Sequence, residues 1–478
     1  MSIAHLAGRI RARELSPREA VAESLARIER VDGVLNSFIT VRGDEALAEA
    51  AELERRAERG PLHGVPVAVK DVIDVRGTPT TAASRILADN VPAGDATVVA
   101  RLRRAGAVIV GKLNTHEFAF GATTASPHFG PVRNPWDPGR ICGGSSGGSG
   151  AATAAGLVPG TLGTDTGGSV RIPACLCGVT GVRPTSGRVS NRGVVPVSWT
   201  FDTVGPLGRS AEDCALLLEA IAGHDPDDPT VARVAVPRYS AGLGDGIAGL
   251  RVGVVAHLLE DVTVDPAVGT AVEAAVGELS TLGAHVERVD CRFLRRAEVV
   301  QQLVMLPEAA EAHLPWLRTR LEEYGPDVRA RLIAGMLLPA SATVTGQRAR
   351  RALFQEAIPL LRRFDLLVAP AMPVTAPMID EDVVRVGERE LPYRLALIPF
   401  NSPWSCLGLP VVTVPCGLVD GLPVGLAIVG RRFEEATALR AAHRYQQATD
   451  WHERRPPLAV DADERVGVYT TQNSEKGE

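Results

Sequence analysis

Gly143-Gly144-Ser145-Ser146-Gly147-Gly148-Ser149-Gly150 and Gly163-Thr164-Asp165-Thr166-Gly167-Gly168-Ser169-Val170-Arg171 are two glycine-rich stretches, each carrying serines. Glycines permit φ > 0 and let backbone N–H groups approach a ligand closely. Several N–H groups aimed at one point form a nest for an anion. That anion is either a bound phosphate or an oxyanion formed during acyl transfer. A P-loop needs Gly-Lys-Ser/Thr at the end of its glycine run, and a dinucleotide loop needs Gly-x-Gly-x-x-Gly between strand and helix. Neither run fits either pattern. One such run alone reads as a flexible surface loop. Two of them, both with serines, point to a site.

Upstream, Val65-Pro66-Val67-Ala68-Val69 is a short β-branched strand that leads into Lys70. Taken alone, Lys70 reads as a strand-end residue reaching water or pairing with Asp71 or Asp74. Burial would instead lower its pKa by disfavouring the charged form. A neutral lysine is a competent base, and a serine hydroxyl needs one to become a nucleophile.

Around these segments the pattern alternates short apolar strands with helices, which predicts an α/β architecture. Ser16-Pro17-Arg18-Glu19 is a capping box with proline in the first helical position. A second helix follows from about Asp44 to Arg59, so the chain opens with a helical arm. Helices are predicted over Thr97 to Ala105, from Ala151 to Ala155, after Ser210 and after Asp265-Pro266. Strands are predicted at Ala107 to Val110, Thr161 to Gly163, Leu250 to Val255 and His285 to Val289. Arg295 to Arg363 reads as mainly helical. Strands at Asp365 to Val368, Pro410 to Val414 and Pro423 to Val429 follow, and a last helix covers Glu434 to Gln447. We expect one domain over 1–460, made of the arm (1–60), a catalytic core (61–225), a more variable, partly helical region (226–400) and a return to the core (401–460). The polar stretch 461–478 is expected to be a disordered tail.

Bulk properties agree with a soluble globular protein of the cell interior. The 478 residues are 45% hydrophobic, enough for a large core, and the net charge of −5 comes without a basic stripe for nucleic acid. No apolar run is long enough to span a membrane, and the N-terminus lacks a signal-type apolar segment. The seven cysteines are odd in number and read as reduced thiols. The expected location is cytoplasmic.

The run GGSSGGSGAATAAGLVPGTLGTDTGGSVRIPACLCGVTGVRP, beginning at Gly143, closely resembles the amidase-signature family. GVPVAVKDVIDVRGTPTTAAS, beginning at Gly64, resembles that family's lysine segment. The spacings from Lys70 to Ser145 and from Ser145 to Ser169 also match. The likeness extends from the N-terminal helix to Pro456. It implies an α/β amidase-signature fold, with a central mixed β-sheet flanked by helices. It implies Ser169 as nucleophile, Lys70 as base, and Ser145, following a cis peptide bond, as the proton bridge between them. By the same resemblance, the N–H groups of Thr166, Gly167, Gly168 and Ser169 form the oxyanion hole, while Ser146, Ser149, Asp165 and Arg171 brace the loops. Neither a metal nor an organic cofactor is implied. His63, His116 and His128 are read as structural or substrate-facing.

GKLNTHEFAFGATTASPHFGPVRNPWD, Gly111 to Asp137, is similar to the branch containing the glutaminase subunit of tRNA-dependent amidotransferases and its free-standing lookalikes. Two functions follow. One is a stand-alone amidase converting a small carboxylic amide to acid and ammonia or amine, with carbamoyl or urea-type compounds as a variant. The other is a subunit that supplies ammonia to a partner and a charged tRNA. The resemblance places an acid in the glutaminase subunit shortly before Leu407-Gly408-Leu409-Pro410. Here that stretch is Leu397-Ile398-Pro399-Phe400-Asn401, which favours the stand-alone reading and an apolar pocket. Phe118, Phe120, Trp199, Phe201, Phe400 and Trp404 are the candidate pocket residues. No membrane or nucleic-acid partner is expected of a stand-alone amidase, and a homodimer is the expected assembly.

Overall fold

β-Branched and apolar runs recur along the chain, and in the structure, a computed structural model, they pair into one 11-stranded mixed sheet. Residues 2–56, 60–260, 264–386 and 389–459 are described. The predicted tail at 461–478 lies outside them. The strands are β1 (Phe38–Val41), β2 (Pro66–Lys70), β3 (Val108–Leu113), β4 (Gly160–Thr164), β5 (Thr180–Arg183), β6 (Val204–Gly208), β7 (Arg251–Val255), β8 (His285–Val289), β9 (Leu366–Pro370), β10 (Val411–Val419) and β11 (Leu422–Gly430). Their order across the sheet is β1-β3-β2-β4-β6-β5-β10-β11-β9-β7-β8. β3, β2 and β4 run parallel, as do β9, β7 and β8, and the strands between these groups are antiparallel. The sheet is therefore mixed and flanked by helices, as expected.

The N-terminal arm consists of helices Ile3–Arg11, Pro17–Leu35 and Gly43–Arg55. Ser16 and Glu19 form the predicted reciprocal cap, with Pro17 in the first turn. The arm is tied to the helix Ala211–Ile221 by Asp213, whose Oδ1 accepts from Ile3 N at 2.7 Å.

Two differences from the sequence reading matter for the site. The helix expected from Ala151 begins at Gly147, inside the first glycine run. Glycine is a poor helix former, but tight contact requires it there: a Cβ on Gly148 would lie 2.5 Å from the Asn114 carbonyl oxygen. Strands β1, β5 and β6 are additions to the predicted set. β6 reads Val-Gly-Pro-Leu-Gly, and its Gly205 sits opposite Gly163 of β4.

Between β8 and β9 the chain forms helices Ala297–Ala312, Pro326–Leu337 and Ala340–Arg363, which pack on one another. All seven cysteines are free and buried. Among the described residues no helix is long and apolar enough to cross a membrane.

Candidate active site

Lys70 ends β2 between β3 and β4, where its side chain is sealed from solvent. Its Nζ lies 2.7 Å from Ser145 Oγ and 2.8 Å from Thr164 Oγ1. Burial pulls its pKa down to about 7, against the attraction of Asp165 and Asp202. Neither Asp71 nor Asp74 forms an ion pair with it. Asp71 instead meets Lys112 at 2.8 Å and accepts from Thr81 Oγ1 at 2.5 Å.

Ser145 is presented by a tightly packed turn. The Gly144-Ser145 peptide bond is cis. A Cβ on Gly144 would lie 2.7 Å from the backbone of Ala122 and Thr123. The Ser145 carbonyl accepts from His116 N at 3.1 Å, Thr115 Oγ1 at 2.9 Å and Thr124 Oγ1 at 3.2 Å. Ser146 Oγ donates to the Thr164 carbonyl at 3.2 Å and accepts from Thr164 N at 3.3 Å. Ser149 Oγ donates to the Leu162 carbonyl at 3.3 Å. The first glycine run is thereby sewn to β4. Gly163 leaves room for this, since a Cβ there would lie 2.7 Å from Ser146 Oγ.

The second run follows β4 directly. Ser146 N donates to the Ser169 carbonyl at 3.1 Å, which joins the two runs. Asp165 organises the loop from beneath. Its carboxylate accepts from Gly168 N at 2.9 Å and Val170 N at 3.1 Å. It also pairs with Arg171 at 2.8 Å and Arg183 at 2.9 Å, with all three side chains buried. Burial alone would raise the Asp165 carboxyl; the two guanidinium groups and the Val170 N–H outweigh it and hold it well below the usual carboxylate range. Arg171 reaches on to the Asn401 carbonyl at 2.9 Å and Ser405 Oγ at 2.8 Å. Gly168 has φ +128, a conformation open to glycine at little cost. Thr166 is held from both sides: its Oγ1 donates to Asp202, and its carbonyl accepts from Gln301 Nε2 at 3.0 Å.

Ser169, Thr166 and Gly167 open on a narrow cleft. Of the aromatic residues predicted for the pocket, Phe120 lines it. The others are corrections. Phe118 is buried against His313, Trp316 and Tyr324. Phe201 and Trp404 are fully buried. The gain from removing large rings from water places them in the core. Phe400 lines a different hollow, with His257 and Glu298. Trp199 is 62% exposed and borders a third hollow with Asp227 and Asp228.

Gln301, Gln302, Met305, Arg331, Arg394 and Ile398 line the cleft. Except for Ile398, none stands out in the sequence. They come from helices between β8 and β10, and no local motif marks them. His116 Nε2 lies 3.2 Å from Asp327, and His128 pairs with Glu117 at 3.3 Å; neither lines the cleft. Among the described residues no cluster of three His, Cys, Asp or Glu side chains is arranged to hold a metal ion.

A family model described as amidase matches residues 19–439. The chain belongs to the amidase family. A glutamyl-tRNA(Gln) amidotransferase subunit of Synechococcus sp. (strain JA-2-3B'a(2-13)) is 39% identical over 98% of this amidase and 94% of its own length. A solved chain from a vestigial protein complex, tied to the evolutionary origins of an s-triazine catabolic enzyme, superposes with a TM-score of 0.89 at 39% identity, covering 94% of this chain and 98% of that one. The 6-aminohexanoate cyclic dimer hydrolase superposes with a TM-score of 0.88 at 30% identity, covering 96% and 99%.

Proposed function

We propose that this amidase hydrolyses a small-molecule carboxylic amide through Lys70, Ser145 and Ser169. The observation that carries the reading is the solvent-sealed Lys70, with Nζ 2.7 Å from Ser145 Oγ and a pKa brought to about 7. At neutral pH a large fraction of such an amine is uncharged and able to accept a proton.

In this mechanism Lys70 takes the proton of Ser145, and Ser145 takes that of Ser169. Thr164 Oγ1 accepts an N–H of Lys70 and directs its lone pair at Ser145. Ser169 Oγ attacks the amide carbonyl. The oxyanion meets the N–H groups of Thr166, Gly167 and Ser169, each well-placed donor contributing about 3 kcal/mol; Gly168 N, expected among them, donates instead to Asp165 Oδ1. The proton returns through Ser145 to the leaving nitrogen, and the C–N bond breaks. Water then enters as nucleophile along the same proton route and releases the acid from Ser169. Asp165, Arg171, Ser146 and Ser149 position the loops and touch no reacting atom.

The test is a panel of small amides with the purified chain alone, following ammonia or amine release. Turnover that disappears in Ser169→Ala, with an acyl adduct mapped to Ser169, is the expected result. An adduct on another serine would overturn it.

A second reading is an ammonia-supplying subunit, favoured by the 39% identity to a glutamyl-tRNA(Gln) amidotransferase component. Ile398 counts against it. It lines the cleft in the stretch where the resemblance implies an acid. Glutaminase activity appearing only with added partner subunits and tRNA would select this second reading.

A further inference from the structure

The walls of the Ser169 cleft carry charge of one sign. Arg331 and Arg394 line it, and no aspartate or glutamate does so among the described residues. The two cations differ in what they are bonded to. Arg331 is nearly buried, ion-paired with Asp327 and stacked 4.4 Å from the Phe120 ring centroid. His116 also bonds Asp327 at 3.2 Å, which holds that carboxylate in place. The charge of Arg331 is thus neutralised within the protein. Arg394 is half-buried, and its Nη2 donates to a neutral amide, Gln302 Oε1, at 3.1 Å. Glu298, the acid behind it, is not within ion-pair distance. Its carboxyl is raised by burial and only partly drawn back by Arg394.

A guanidinium at a cleft wall with no ion-pair contact among the described residues, fixed by an amide that leaves its remaining N–H groups free, is matched to a planar oxyanion. Ile398 and Met305 supply an apolar lining for the connecting chain. We propose that Arg394 is a specificity residue that reads a carboxylate on the substrate, so that the enzyme selects amides bearing a negative charge away from the scissile bond. This inference rests on Ser169 being the nucleophile.

The test compares amides of equal carbon count: malonamate with propionamide, succinamate with butyramide, glutaramate with valeramide. The wild-type enzyme should favour the charged member of at least one pair in kcat/KM. Arg394→Gln should lower that preference roughly ten- to hundredfold, mainly through KM on the charged substrate, the scale of one charge-assisted contact. Arg394→Glu should turn the preference toward a cationic amide such as 4-aminobutyramide, a change that loss of a merely structural contact would not produce. Where either variant fails to fold, the wild-type enzyme decides. Succinate should inhibit competitively more strongly than butyrate, and the difference should shrink with added salt. Equal turnover within every pair overturns the inference while leaving the Ser169 chemistry intact, as does an equal loss on charged and neutral amides in Arg394→Gln. Absence of any amide turnover together with no adduct on Ser169 overturns the functional reading and this inference with it.

Discussion

Asp71 Oδ1 lies 2.8 Å from Lys112 Nζ, and both side chains are closed to solvent. Asp71 follows Lys70 directly and is the acid that a conventional ion pair would use. Its engagement with Lys112 leaves Lys70 facing two hydroxyls. Kinetics should report this. The acid limb of kcat/KM should fall as pH drops through about 7, where Lys70 becomes protonated, and not near the ordinary lysine value of about 10.4. Lys70→Ala should lose about two or more orders of magnitude at neutral pH, the scale of general-base catalysis. Lys70→Arg should not restore activity, because a guanidinium stays protonated. Near-normal turnover in Lys70→Arg would remove Lys70 from the mechanism.

The same residue imposes a stability cost with a defined pH dependence. Its folded pKa of about 7 lies below the unfolded value of about 10.4. Between these values the unfolded chain holds the proton and the folded chain does not. Folding stability therefore decreases as pH falls through that window and levels off below it. Lys70→Met lacks this titration. In urea melts the stability of Lys70→Met relative to wild type should rise from pH 10 to pH 7, by at most about 4 kcal/mol. A difference that stays flat across the window would contradict the buried neutral lysine.

Asp165 is the hub of the loop that carries Ser169, and its removal should act on fold and turnover together. Asp165→Asn leaves Arg171 and Arg183 buried without a counter-charge, a loss of about 3–5 kcal/mol. It also weakens acceptance from Gly168 N and Val170 N, the two amides that flank Ser169. We expect a markedly lower melting temperature and a kcat that falls more than KM changes. Because the Asp165 carboxyl is depressed in the fold, its stabilisation is present above the unfolded value of about 3.9 and is lost as pH falls through the folded one. The gap between wild type and Asp165→Asn should therefore close in strong acid. A pH-independent gap would mean that the arginine pairs are not its source.

Gly144→Ala tests the packing of the Ser145 turn. The added Cβ would press on the Ala122–Thr124 backbone, which has no side-chain freedom with which to yield. A loss of about 1–3 kcal/mol is expected, with kcat reduced because Ser145 moves relative to Lys70. Gly33→Ala is the control: it sits on an arm helix with nothing within 4 Å of its Cβ, and it should leave both stability and turnover essentially unchanged or slightly improved. Equal behaviour of the two variants would show that the turn is not tightly constrained.

The site's chemistry is more legible in the sequence than its walls are. Lys70, Ser145 and the Thr166–Ser169 loop sit in long, position-specific motifs, so each can be named without sight of any contact. The strands beside them are harder to read. Val204–Gly208 carries proline and glycine, which argue against a strand. It forms one because Gly205 lets the chain pass close to β5: a Cβ there would lie 2.0 Å from the Val182 carbonyl oxygen. Arg394, Gln301 and Gln302 are invisible for a different reason. Each is an ordinary polar residue in a helical region, and only tertiary packing turns it toward Ser169. The aromatic residues illustrate the reverse error, since hydrophobicity alone does not separate a pocket wall such as Phe120 from a core residue such as Trp404.

The position of the helical segment between β8 and β9 has an evolutionary consequence. Lys70 ends β2, Ser145 precedes the helix Gly147–Ala154 and Ser169 follows β4, whereas Gln301, Met305 and Arg331 arrive from that helical segment, with Arg394 and Ile398 from the short helix between β9 and β10 and its C-terminal cap. Much of the cleft wall is therefore encoded apart from the Lys70–Ser169 stretch, which itself contributes Phe120 to that wall. Mutational drift in residues 302–398, with the Gln301 contact to the Thr166 carbonyl kept, can redirect the enzyme to new amides while the inherited reaction stays intact. A chimera exchanging that stretch between two relatives would carry its donor's substrate preference.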